Sequence, residues 1–237
     1  MGVYSRIPSQ VRAIFFDAVG TLIHPEPSPG AAYAQIGQRF GSRLDPAEIR
    51  QRFPRAFQQQ EDEDARTGYR TDEARELQRW QRIVTAVLDD VSDRDGCFAA
   101  LYEHFARPQA WRVEAGAARV VSTLLQSGYV VGMASNFDHR LRDVIAGLPE
   151  LAGVQPLVIS SEIGWKKPAV GFFEALVQQM RLPAEQILII GDDADNDLAG
   201  ARAAGMPALL FDPAGLYADR VPDRLTSLEE LLVAEAR

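Results

Sequence analysis

Short apolar runs that refuse to alternate constrain this chain most. They lie at 11–16, 129–134, 187–190 and 208–211, with a weaker one at 157–159, and Val, Ile, Leu and Phe dominate them. A strand with one wet face shows a polar residue at every second position. A strand without that alternation must be covered on both faces. The segments between the runs carry helical spacing instead. Residues 114–127 place Ala117, Val120, Val121, Leu124 and Leu125 on one stripe before Gly128, and 169–180 do the same with Phe172, Phe173, Leu176 and Val177 behind Pro168. Residues 197–204 are small and alanine-rich, closed by Gly205. Strand alternating with helix predicts an α/β fold: a Rossmann-like, parallel five-stranded core with helices on both faces.

Residues 25–110 break this rhythm. Pro25, Pro27 and Pro29 stiffen the entry, and helical stretches follow at 31–40, 46–63, 71–88 and 96–106. The polar stretch "QQQEDEDARTGYRTDEARE" reads as a loop or a solvated helix face, and Arg107-Pro108 marks an exit. The expected division is a core made of 1–24 and 109–237, with a helical cap of 25–108 above the carboxyl ends of the strands.

Composition excludes several classes. The net charge of −8 repels phosphate backbones at long range, so nucleic acid is not an expected partner. No stretch reaches the roughly 20 apolar residues of a membrane span, and no leader sequence is evident. A single cysteine, Cys97, forms no intrachain disulfide and suits a cytoplasmic location.

Ligands of open α/β sheets bind beyond the carboxyl ends of the strands, so the residues that follow each run carry the chemistry. Asp17 follows the first run, Ser135 and Asn136 the second, and Gly191, Asp192 and Asp193 the run at 187–190. Lys166 and Lys167, the only lysines of the chain, come after the run at 157–159. Carboxylates delivered by separate strands repel unless a hard cation lies between them, and Mg²⁺ takes oxygen ligands. A metal-bound phosphate then needs further positive charge and donors, which Lys167, Ser135 and the backbone near Asn136 offer. An Asp beside such a phosphate can attack it as a nucleophile.

With these residues in view, the chain resembles the haloacid dehalogenase-like (HAD) hydrolases over about residues 11–212. "FFDAVGTL" is similar to the family's first motif, "GMASN" to the second, "GWKKP" to the third and "IIGDDADNDLAGARAAGM" to the fourth, in family order. The resemblance implies a cap inserted after the first motif and a phosphatase acting on a small phosphorylated molecule through an aspartyl-phosphate on Asp17. It implies Ser135, Asn136 and Lys167 as phosphate ligands, and Lys167 as a catalytic residue beside Asp17. It implies Mg²⁺ held by Asp17, Asp192 and the backbone carbonyl of Val19, with Thr21 and Asp197 in support.

Val19 departs from that pattern. Most phosphatases of the family carry a second Asp two residues after the nucleophile, where it protonates the leaving oxygen and then activates water. Valine transfers no proton, and general acid–base help is typically worth about 10²–10⁴ in rate. Two other readings follow from the gap. One is a 2-haloacid dehalogenase, which uses the same Asp without metal; the Gly-Asp-Asp of the fourth motif departs from that branch. The other is a low-turnover binding or regulatory protein that keeps the fold. The phosphonate-cleaving branch needs a cap lysine, and 25–110 contains none. Of the remaining candidates, His24 reads as a hinge residue near the site and Asp195 as exposed. Asp193 is ambiguous, Lys166 is expected to face solvent, Trp80 and Trp111 to pack the cap and hinge, and Trp165 to line the rim. Oligomeric state is open.

Overall fold

The computed structural model describes residues 4–222 and 224–233. Its main sheet has six strands, all parallel, in the order β5–β4–β1–β6–β7–β8. These are β1 (Ala13–Phe16), β4 (Val130–Ser135), β5 (Leu157–Ile159), β6 (Ile187–Gly191), β7 (Ala208–Phe211) and β8 (Arg224–Leu225). The expected count of five is therefore corrected to six. The extra strand is a two-residue edge, Leu210 facing Arg224 and Phe211 facing Leu225, too short to leave an apolar run in the sequence.

β1 sits at the centre, with Ala13 opposite both Val130 and Ile187 and Phe16 opposite both Met133 and Ile190. All four of its residues are buried. Ile14 and Phe16 enter the core on one face of the sheet, Ala13 and Phe15 the core on the other. That two-sided burial is why the run never alternates polar with apolar. The covering helices are α5 (Ala117–Gln126), α6 (Arg140–Ala146), α7 (Ser160–Ile163), α8 (Val170–Met180) and α9 (Gly200–Ala203). The small-residue stretch after β6 opens as a π-helical turn, Ala194–Ala199, before α9. Pro168 stands just before α8, whose N-cap is Ala169.

Between β1 and β4 the chain forms a two-stranded antiparallel ribbon, β2 (Ile23–Pro25) with β3 (Trp111–Val113). The ribbon brackets four helices: α1 (Pro29–Arg39), α2 (Pro46–Arg66), α3 (Glu73–Val87) and α4 (Arg94–His104). Asp45, Asp72 and Asp93 each cap the helix that follows through a side-chain oxygen. The four helices share their own apolar cluster, which includes Tyr33, Ile49, Ile83, Val87 and the buried Cys97. No helix among the described residues is long and apolar enough to cross a membrane.

Candidate active site

Asp17 follows β1 directly, and its backbone N–H donates to the Ile190 carbonyl of β6 at 2.8 Å. Its carboxylate accepts a hydrogen bond from Lys167 Nζ at 2.7 Å. The same ammonium donates to the Ala134 carbonyl at 2.8 Å and to Asp197 at 2.5 Å, and Lys167 is almost wholly buried. Asn136 holds the Lys167 backbone at two points: its Oδ1 accepts from the Lys167 N–H at 2.7 Å and its Nδ2 donates to the Lys167 carbonyl at 2.9 Å. Thr21 Oγ1 donates to Asp192 at 3.2 Å. Asp17, Val19, Ser135, Asn136, Lys167, Asp192 and Asp197 all line one cavity of about 590 Å³.

The electrostatics of this floor are unbalanced. Oxygens of Asp17, Asp192 and Asp197 lie within 4.8 Å of one another, and a single ammonium stands among them. Burial, then the carboxylates of Asp17 and Asp197, push the Asp192 carboxyl up to about 7 against the opposing Thr21 hydrogen bond. Burial, opposed by Lys167 and aided by Asp17, pushes Asp197 up to about 6. Burial pulls Lys167 down, yet Asp17 and Asp197 together outweigh it and hold the amine protonated. Two glycines make the crowding possible. A Cβ at Gly20, where φ is +96°, would collide with the Asp192 carboxylate, and one at Gly191 would collide with that of Asp197. An oxygen-only donor set with excess negative charge fits a hard divalent cation such as Mg²⁺.

Other sequence candidates lie elsewhere. His24 Nε2 pairs with Glu114 at 2.6 Å, and neither residue lines the cavity. Asp193 accepts from the N–H groups of Asp195 and Asn196, both at 2.9 Å, and so caps the turn; Asp195 is exposed. Trp165 is not on the cavity rim; the Arg70 guanidinium lies 3.5 Å from its ring centre.

Lys166 overturns its expected place in solvent. It is fully buried, and its Nζ meets Asp64 of α2 at 2.5 Å and Glu61 at 3.3 Å. Asp64 also takes Arg75 at 2.6 Å and Arg79 at 3.4 Å, while Arg79 pairs with Glu61 as well. The polar stretch of the sequence is thus neither loop nor solvated face throughout, because Asp64 and Glu76 are buried. Charges of both signs at helical spacing were its only signal.

Trp80 and Trp111, expected only to pack the cap and hinge, belong to a belt of rings that lines the cavity. Phe137, two residues beyond Ser135, contacts Trp111 with ring centres 5.9 Å apart, and Trp111 contacts Phe105 at 6.0 Å. The belt continues through Tyr33, Phe53 and Phe57 to Trp80, with neighbouring centres 5.2–6.4 Å apart. All of these rings line the cavity. Phe53, Phe57 and Glu61 recur at four-residue spacing on α2, which could have marked one helix face as cavity wall.

A doubly wound sheet with catalytic-type side chains at its central strand ends, beneath a helical segment, defines a class of α/β hydrolases. The model of the haloacid dehalogenase-like hydrolases matches residues 11–205, and the chain belongs to that family. It is 28% identical over 238 residues to the cattle "haloacid dehalogenase-like hydrolase domain-containing protein 3", covering 95% of this chain and 94% of that one. Among solved structures, a dehalogenase superposes with a TM-score of 0.75 at 18% identity, covering 97% of this chain and all of the other. The Bacillus subtilis HAD-hydrolase YfnB, bound to magnesium, superposes with a TM-score of 0.72 at 18% identity, over 93% of this chain and 96% of that one. At that identity the two structures speak for the fold.

Proposed function

We propose that this hydrolase is a Mg²⁺-dependent phosphatase of small phosphorylated metabolites, working through an aspartyl-phosphate on Asp17. The carboxylate cluster supports this reading best: Asp17, Asp192 and Asp197 crowd within 4.8 Å on one ammonium. Displacement of halide from carbon by Asp17 gives Asp192 no task, whereas a metal-bound phosphate does. In the proposed mechanism Lys167 and Ser135 hold phosphate oxygens, and Lys167 also donates a hydrogen bond to the Asp17 carboxylate. Asn136 fixes the Lys167 backbone and thereby aims its ammonium. Asp17, Asp192 and the Val19 carbonyl would hold Mg²⁺, which when bound offsets charge on the transferring phosphoryl group. Residues 25–108 act as the cap that closes over the substrate. The negative surface and single buried thiol fit a cytoplasmic enzyme without nucleic-acid or membrane partners.

Phosphate release from a panel of phosphoesters, with Mg²⁺ or with EDTA, tests the proposal beside an Asp17→Asn control. The expected result is turnover that EDTA abolishes and Asp17→Asn lacks, together with a transient phosphoryl adduct on the wild-type protein by intact mass. Turnover that survives both EDTA and Asp17→Asn sinks it.

A further inference from the structure

The floor of the cavity carries chemistry; its walls choose the leaving group. Walls made of Phe53, Phe57, Trp80, Phe105 and Trp111 present ring faces and edges. Their charged neighbours are already spoken for. The Arg140 guanidinium is bidentate to Asp138 at 2.7 and 2.6 Å and donates to the Tyr102 carbonyl at 3.0 Å. Arg79 is held by Glu61 and Asp64. Among the described residues lining the cavity, the remaining cation is Lys167, bound to Asp17 and Asp197. A substrate with a second anionic group, whether carboxylate or phosphate, finds no free cation in these walls and meets the carboxylate of Asp193 instead. Uncharged rings are what the walls accommodate.

The proton inventory points the same way. Val19 offers no acid to the departing oxygen. Glu61, the carboxyl of the cavity wall, is committed to Arg79 and Lys166, and Asp193 is committed to the turn it caps. With no carboxyl of the walls free to protonate it, a leaving group that can depart as a stable anion is favoured. A phenol, with a pKa of about 10 as in tyrosine, can do so far more readily than an aliphatic alcohol, whose pKa lies near that of water at about 16.

Building on the phosphatase reading, we infer that the substrate is an aryl phosphomonoester: one phosphate on a phenolic oxygen of an otherwise uncharged aromatic group. An Asp17 oxygen attacks phosphorus and the P–O(aryl) bond breaks, leaving an aspartyl-phosphate and a phenolate. Water then attacks that phosphorus, the bond to the Asp17 oxygen breaks, and the proton from water ends on the phenolate. The products are the phenol and hydrogen phosphate. Valine at position 19 also withholds a base from the second step, so the aspartyl-phosphate accumulates.

The test uses the full-length protein with Mg²⁺ and a series of ring-substituted phenyl phosphates, set against glycerol phosphate and acetyl phosphate. Expected is a kcat/KM that falls steadily as the leaving phenol becomes more basic and is about 10²–10⁴ lower for glycerol phosphate. Expected too are a common kcat among the faster aryl esters and a burst of one phenol per active site. Trp80→Ala should cut the ratio of kcat/KM for phenyl phosphate over acetyl phosphate at least fivefold, on the order of one lost ring contact. Phe57→Leu, which keeps the volume of the wall, should lower it in the same direction. Calorimetry on Asp17→Asn should show phenyl phosphate binding more tightly than glycerol phosphate. Hydrolysis of glycerol phosphate as efficient as that of phenyl phosphate, or a ratio unmoved in both ring variants, overturns the aryl assignment and leaves the phosphatase standing. Failure to hydrolyse any of the esters overturns both.

Discussion

At the scale of single residues, the proposed chemistry turns on what position 19 lacks. Val19 lines the same cavity as Asp17, so an acid placed there would share that cavity with the proposed nucleophile. Val19→Asp is expected to raise kcat on glycerol phosphate by about 10²-fold, within the range that general acid–base help supplies, as read by phosphate release. An unchanged rate would mean that something other than proton transfer limits alkyl esters. Asp17, Ser135, Lys167 and Asp192 were legible as candidates because each stands just past an apolar run or in a family motif. They gather on one cavity as that placement implies. The two lysines show where such reading stops. They are adjacent and chemically identical, yet Lys167 turns to Asp17 while Lys166 turns away to Asp64, about a hundred residues off in sequence. Nothing local distinguishes them except the proline after the second.

At the scale of elements, the buried ion cluster ties α2 and α3 to the loop that carries Lys167. Lys166 does this with its side chain and also with its backbone, whose N–H donates to the Tyr69 carbonyl at 2.9 Å. Asp64 is the hub, fully buried and in reach of Lys166, Arg75 and Arg79. Removing one partner from a buried ion pair costs about 3–5 kcal/mol, because the cations left behind stay desolvated. Asp64→Asn is expected to lose a stability of that size in urea unfolding. A loss below about 1 kcal/mol would place the cluster among ion pairs that contribute little. The helices themselves were legible as helical stretches, while their Asp45, Asp72 and Asp93 caps emerge from the structure. The β2–β3 ribbon was not, because three-residue strands leave no periodicity to read.

At the scale of the whole molecule, the fold assembles a site that is electrostatically unfinished. The parallel sheet brings Asp17 and Asp192 together from adjacent central strands, and α8's leading loop adds one lysine where neutrality asks for more. The metal-free protein bears that imbalance as a pH-dependent stability. Asp192 holds its proton up to about pH 7 when folded, against an ordinary value of 3.8, and Asp197 up to about 6. Between the ordinary and the raised values the native state binds more protons than the unfolded chain, so this contribution to stability is full below about pH 4 and declines as pH rises to about 7. On the proposed reading Mg²⁺ would require Asp192 ionised, so the stabilisation it supplies would run the other way and grow with pH. The increase in Tm that saturating Mg²⁺ gives over EDTA is therefore expected to be larger at about pH 8 than at about pH 5. Asp192→Asn should remove most of that increase at the higher pH and raise the Tm of the metal-free protein there, since it discards the charge that only a cation relieves. Equal increases at the two pH values, or an Asp192→Asn protein that responds to Mg²⁺ as the wild type does, would mean that the carboxylate crowding at the strand ends serves something other than a metal.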